Sequence, residues 1–286
     1  MQVIDAWINT LPAKTAAQFA KNPVLAGVAK FFGESVKVTD GIPFDAIVAM
    51  MDAAGVDRGI ITAPLLQGGR YSRGEAPVDD PIAACDSFPD RFRAAFTLAP
   101  FPSVRVMVDA LEQAAKDPRV VCFRIVPLFT QEPINSRMHY PIYERCEALG
   151  IPVSINVGIP GPKVRGRCQD PMDLDDVCID FPKLTIVASH MGHPWESLLI
   201  RLMMKYENLY LMNSAYLAKY MEPSVVSFMD SSRGRDRLLW ASDFPMLSVE
   251  GSVKSARALD ISDEGKEAFL GGNAAKIFPW DRSAGA

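Results

Sequence analysis

The chain is poor in histidine. It holds three, His139, His190 and His193, among 286 residues, so a metal centre built from several imidazoles has little to draw on. It has no Cys-x-x-Cys pair. Its five cysteines, at 85, 122, 146, 168 and 178, are an odd number. That count suits free thiols in a reducing cytoplasm better than a disulfide framework, and Cys122 and Cys178 are expected as small core residues. There is no basic excess: the net charge is −4, and nothing suggests a basic footprint for nucleic acid. No run approaches the roughly 20 apolar residues that span a bilayer. The first apolar run, Val3 to Ile8, starts almost at once, so no signal peptide is expected. A Gly-x-Ser-x-Gly elbow, a Walker loop and a dinucleotide fingerprint are also missing.

What is present is a long series of short apolar runs alternating with helical patterns. Hydrophobic residues make up 49% of the chain and charged ones 22%, enough for a large core. Eight strands are expected, over 3–9, 58–63, 92–98, 120–126, 152–158, 184–190, 209–214 and 238–243. Most are continuously apolar, as parallel strands buried on both faces are. Helices are expected at 44–54, ended by Gly55, at 104–116, at 140–149, ended by Gly150, at 195–206, and at 262–277, opened by Ser262. The alternation implies βαβ units. Eight of them without a nucleotide-binding loop favour a closed α/β (β/α)8 barrel, one domain over 1–286 with a C-terminal helix and tail at 262–286. Loops at 10–43, 64–80 and 159–171 are expected to elaborate the C-terminal rim, where ligands bind.

In such a barrel, polar residues that end strands face a ligand. Here they are Asp5, Trp7 and Asn9, then Arg124, Asn156, His190, Asn213 with Ser214, and Asp243. His190 and Asp243 are the candidate catalytic pair, a carboxylate orienting an imidazole. The alternative is a satisfied core histidine and a turn cap. Arg124 interrupts an apolar strand and could hold a substrate carboxylate in its fork, or form an ion pair inside the barrel. Arg70, Arg73, Arg165 and Arg167 on the rim loops make an anionic substrate more plausible. Trp7 could stack on a ring substrate or simply fill space. His193 is expected to pack at a helix start, and His139 carries no assigned role. Ser189, Ser214 and Ser242 lack a strained turn to activate a nucleophile.

Several segments together resemble the amidohydrolase superfamily, in its amidohydrolase-2 branch of decarboxylases and related hydrolases. They are Asp5-Ala6-Trp7-Ile8-Asn9, Ile186-Val187-Ala188-Ser189-His190-Met191-Gly192, Leu239-Trp240-Ala241-Ser242-Asp243-Phe244-Pro245 and Asn273-Ala274-Ala275-Lys276-Ile277-Phe278. The resemblance places the first-strand metal ligands on Trp7 and Asn9, and the strand-five histidine on Asn156. Indole N–H only donates, and an amide oxygen is a poor substitute for imidazole at zinc. The resemblance keeps His190 and the strand-eight carboxylate, Asp243. It therefore implies no resident cofactor. A divalent zinc, manganese or magnesium held by Asp243 and His190 is the alternative. The expected activity is metal-independent hydrolysis of a small anionic lactone, ester or amide, with Asn9, Asn156, Trp7, Asn213 and Arg124 binding the substrate. Decarboxylation of a carboxylated aromatic or muconate-like acid is one alternative, and a non-catalytic binding protein another. The expected partner is a small-molecule carboxylate, with no nucleic acid and no membrane. A homodimer is possible for this family.

Overall fold

The computed structural model describes residues 1–10, 41–65, 81–98 and 103–282. The rim loops expected at 10–43 and 64–80, with Arg70 and Arg73, lie almost wholly outside the described residues.

Eight strands follow in chain order: β1 (Ile4–Asn9), β2 (Arg58–Leu65), β3 (Phe92–Leu98), β4 (Val120–Ile125), β5 (Val153–Asn156), β6 (Ile186–Ser189), β7 (Leu209–Met212) and β8 (Leu238–Leu239). Each pairs in parallel with the next. The barrel closes where β1 meets the segment after β8. Ala6 N donates to the Trp240 carbonyl at 3.3 Å, and Asn9 N to the Phe244 carbonyl at 2.8 Å.

Later strands are shorter than their apolar runs suggest, for local reasons. Proline lacks the N–H that a strand ladder needs at 152, and Gly158 turns with φ +92°, so β5 is trimmed at both ends. β6 stops at His190, whose φ is +66°. β8 is cut to two residues because the Ala241 N–H is taken by the Asn213 side chain at 3.1 Å rather than by a strand carbonyl.

The longer helices that follow the strands are α1 (Phe44–Ala54), α2 (Pro81–Ser87), α3 (Val104–Ala115), α4 (Tyr140–Leu149), α5 (Leu174–Asp180), α6 (Glu196–Lys205), α7 (Pro223–Met229) and α8 (Val249–Arg257). α1 and α4 end on left-handed glycines, Gly55 and Gly150, which carry no Cβ penalty there. Ser103 caps α3 through the Val106 N–H. The expected C-terminal helix is continuous over 263–277 and opens on Ser262. It widens to a π-turn at Ala268–Gly272, where the Phe269 carbonyl accepts from Trp240 N. A Cβ on Gly271 would fall 2.1 Å from the Gln2 carbonyl oxygen, so the helix packs directly on the chain entering β1.

The barrel interior is filled. Ile4, Trp7, Ile60, Ala95, Cys122, Val187, Met212 and Leu239 are buried in one apolar cluster, the side-chain plug expected of this architecture. All five cysteines are buried and free. Among the described residues, no helix is long and apolar enough to cross a membrane.

Candidate active site

The strand ends converge as the fold requires, but not with the partners the sequence suggests. Asn9, at the end of β1, is a clamp. Its Oδ1 accepts from Trp7 Nε1 at 2.8 Å. Its Nδ2 donates to Asp243 Oδ1 at 2.7 Å and to the Phe244 carbonyl at 3.0 Å. Both ends of the amide are therefore committed to protein groups.

Asp243 follows β8 in a left-handed conformation, φ +55°, with 7% of its surface accessible. Burial pushes its carboxyl up to about 7, against the opposing pulls of the Asn9 hydrogen bond and the Arg124 charge. Desolvation costs the ionised form more than these two partners return. Asp5 on β1 is fully buried. Its Oδ1 accepts from Ser242 N at 2.9 Å and Trp7 N at 3.2 Å, and its Oδ2 has no partner. Burial pushes this carboxyl up to about 6, opposed chiefly by hydrogen bonds from Ser242.

His190 does not pair with Asp243, contrary to the sequence expectation. Its Nδ1 lies 3.2 Å from the Ser214 carbonyl and 2.9 Å from Ser214 Oγ. His190 has a left-handed backbone, φ +66°, and its ring is held at the exit of β7 by Ser214. Burial pushes the imidazole down to about 4, so it is neutral at pH 7. With Nδ1 occupied by Ser214, Nε2 is the nitrogen left to face a ligand.

Arg124 requires a larger correction. It has no accessible surface, and its guanidinium lies 3.8 Å from the Trp7 ring centroid. Nε donates to Thr62 Oγ1 at 3.0 Å, one terminal nitrogen to Ser154 Oγ at 3.2 Å, and the other to the Ala6 carbonyl at 2.8 Å. A substrate carboxylate could reach this fork only if Trp7 moved. Nor does Arg124 make an ion pair inside the barrel: its three partners are neutral. Burial lowers its pKa, but a guanidinium remains charged in proteins.

Trp7 is buried, with its ring on Arg124 and its centroid 5.0 Å from that of His190. It is packed between Arg124 and His190, leaving no free face for a ring substrate to stack on. Asn213 also departs from expectation. Its Oδ1 accepts from Ala241 N and its Nδ2 donates to the Tyr216 carbonyl, so it ties β7 to β8. Asn156 ends β5 with a buried Oδ1 that has no protein partner, an acceptor available to a ligand or water. Ser189 and Ser154 hydrogen-bond each other and extend the Arg124 network. His193 sits beside the buried Glu196, its Nδ1 on Glu196 Oε1. His139 is buried with Nδ1 facing the Pro133 and Ile134 carbonyls. Arg165 and Arg167 are exposed on the loop after β5. Asp5, one of the polar residues read on the first strand but given no role there, is a second buried acid that holds the Ser242 and Trp7 N–H groups.

These residues do not fit a divalent metal. Among the described residues, no three His, Cys, Asp or Glu side chains are grouped to hold one. Trp7 has no lone pair to offer, and the Asn9 oxygen is taken. His190 has only Nε2 left to offer, and a guanidinium lies beneath Trp7. A catalytic zinc usually has three protein ligands.

Comparisons with known proteins agree on the architecture. An uncharacterized TIM-barrel protein from Bordetella bronchiseptica is 24% identical, with a TM-score of 0.75 over 97% of this chain and 98% of that one. The 5-carboxyvanillate decarboxylase of Sphingomonas paucimobilis is 18% identical, with a TM-score of 0.73 over 97% and 98%. A dihydroxybenzoic acid decarboxylase from Polaromonas, solved with manganese and 2-nitroresorcinol, is 17% identical, with a TM-score of 0.71 over 99% and 98%. No curated protein matches the chain. The amidohydrolase family model matches residues 37–280. By that match and by its eight-stranded barrel, the chain belongs to the amidohydrolase family.

Proposed function

We propose that the protein is a carboxy-lyase, releasing CO2 from a small carboxylated aromatic or related unsaturated acid, with Asp243 as the proton donor. One observation carries the reading: a carboxyl at the barrel mouth whose pKa is pushed up to about 7. Protonating a carbon needs an acid that still holds its proton at working pH, and burial is the means of keeping one. The structural relatives that are decarboxylases favour this over the lactone, ester or amide hydrolysis expected from the sequence.

In this reading, the Asp243 carboxyl gives its proton to the ring carbon that bears the substrate carboxylate. The C–C bond to the carboxylate then breaks, its electron pair returns to the ring and CO2 leaves. Water restores the proton to Asp243. The Arg124 charge beneath the mouth stabilises the transient Asp243 carboxylate. Neutral His190 accepts a hydrogen bond from a substrate hydroxyl through Nε2, and Asn156 Oδ1 takes a second.

A metal-assisted reaction is the second reading. Its specific support is the manganese in the Polaromonas relative. The two readings separate in an assay of CO2 release from 5-carboxyvanillate and dihydroxybenzoates, with and without added manganese. Release that Asp243→Asn abolishes and manganese leaves unchanged supports the first reading. No CO2 from any of these acids, or hydrolysis of lactones instead, sinks it.

A further inference from the structure

We propose that Arg124 is the resident cation of this barrel mouth, and that with Trp7 and Asn9 it keeps a divalent metal out of the place the family resemblance gives to one. The proposal rests on reading the mouth as the active site.

Four side chains form one connected stack. The Arg124 guanidinium lies under the Trp7 ring at 3.8 Å. Trp7 Nε1 donates to Asn9 Oδ1, and Asn9 Nδ2 donates to Asp243 Oδ1. The two residues that stand at the first-strand ligand positions are thus joined to each other, and each holds a neighbour in the stack. Trp7 covers the cation, and Asn9 fixes the plane of Trp7 while presenting an N–H, not a lone pair, to Asp243.

Charge supports the same assignment. The carboxyls of Asp5 and Asp243 are buried, and Arg124 acts electrostatically on both. A guanidinium cannot shed its proton to relieve crowding, so it remains a fixed positive charge. It is also held by neutral acceptors on three sides, Thr62, Ser154 and the Ala6 carbonyl, leaving no route for it to swing away. A divalent cation entering here would meet that charge at low dielectric, where repulsion is strong. It would also have to displace Trp7 and recover Asn9 Oδ1 from an indole N–H.

The cation is therefore covalently part of the chain, and metal content is its direct readout. The protein is purified without chelator, its manganese and zinc are measured by elemental analysis, and Mn2+ binding is titrated by electron paramagnetic resonance. Fewer than about 0.1 metal per chain and no saturable Mn2+ binding are expected for the unaltered protein. Near-stoichiometric metal would overturn the proposal without any variant. Two variants then isolate Arg124: Trp7→His with Asn9→His, and the same pair with Arg124→Met. The triple variant is expected to bind Mn2+ at least tenfold more tightly than the double. Equal affinity would remove Arg124 as the cause. If either variant fails to fold by circular dichroism, the measurement on the unaltered protein decides. Metal-free protein that releases no CO2 would sink the carboxy-lyase reading and leave this one standing; manganese-loaded protein that releases CO2 would do the reverse.

Discussion

Replacing Asp243 with asparagine should stabilise the protein at alkaline pH while abolishing turnover. Asparagine keeps the shape of the carboxyl, an oxygen to accept from Asn9 and no charge, so it imitates the protonated acid. In the folded protein the Asp243 carboxyl is pushed up from 3.8 to about 7 by burial; in the unfolded chain it titrates near the ordinary value. The folded state therefore holds a proton that the unfolded state has released. The stability this group contributes is full below pH 3.8 and is lost as pH rises toward 7. At 1.36 kcal/mol for each tenfold change in proton affinity, the whole loss is about 4 kcal/mol, of which about 2 kcal/mol is already gone at pH 5. Asp243→Asn escapes it. Urea unfolding should find the variant more stable by about 2 kcal/mol at pH 5 and about 4 kcal/mol at pH 8. The widening of the gap with pH is the diagnostic part, because a packing change would give a constant difference. A variant equally or less stable at pH 8, or a gap that does not grow between pH 5 and pH 8, refutes the claim that Asp243 is a buried neutral acid.

Other substitutions probe the frame. Asn9→Ala leaves Trp7 Nε1 without its acceptor, costing about 1–3 kcal/mol in urea unfolding. Since the Asn9 hydrogen bond pulls the Asp243 carboxyl down, its loss should move the alkaline limit of activity to higher pH. Asn213→Ala strips the Ala241 N–H of its partner and should cost a similar amount, about 1–3 kcal/mol; KM should hold, since Asn213 ties strands and does not face a ligand. At Gly192, φ is +66° and an added Cβ would fall 2.1 Å from Leu199 Cδ1. Gly192→Ala should therefore cost at least about 1–3 kcal/mol, read as a lowered melting temperature.

How far the sequence speaks for this molecule depends on distance along the chain. The eight strands and the helices ended by Gly55 and Gly150 are local matters of apolar runs and glycine stops, and the structure has them. The helices α2, α5, α7 and α8 are 7–9 residues long, too short to impose a clear 3.6-residue period. The polar strand ends were legible as a set because strand direction alone brings them to one rim. Their pairings were not. Period two says that Arg124 points inward, but not that its long side chain ends beneath Trp7 with Thr62 and Ser154 as partners. Nor does any local signal say that Asn9 will bridge Trp7 to Asp243, 234 residues away, or that Asn213 will spend its amide on Ala241. The left-handed backbone at His190 likewise has no signature in Ser189-His190-Met191, and neither does the hold of Ser214 on its ring, which leaves Asp243 to act alone.

The role of Asp243 as proton donor is tested most directly by the pH dependence of CO2 release by the protein as purified, with a carboxylated hydroxybenzoate as substrate. The rate should fall as pH rises through about 7, where the Asp243 carboxyl gives up its proton, and should be absent in Asp243→Asn. A rate that is flat or rises across that range, or that survives the substitution, would contradict it.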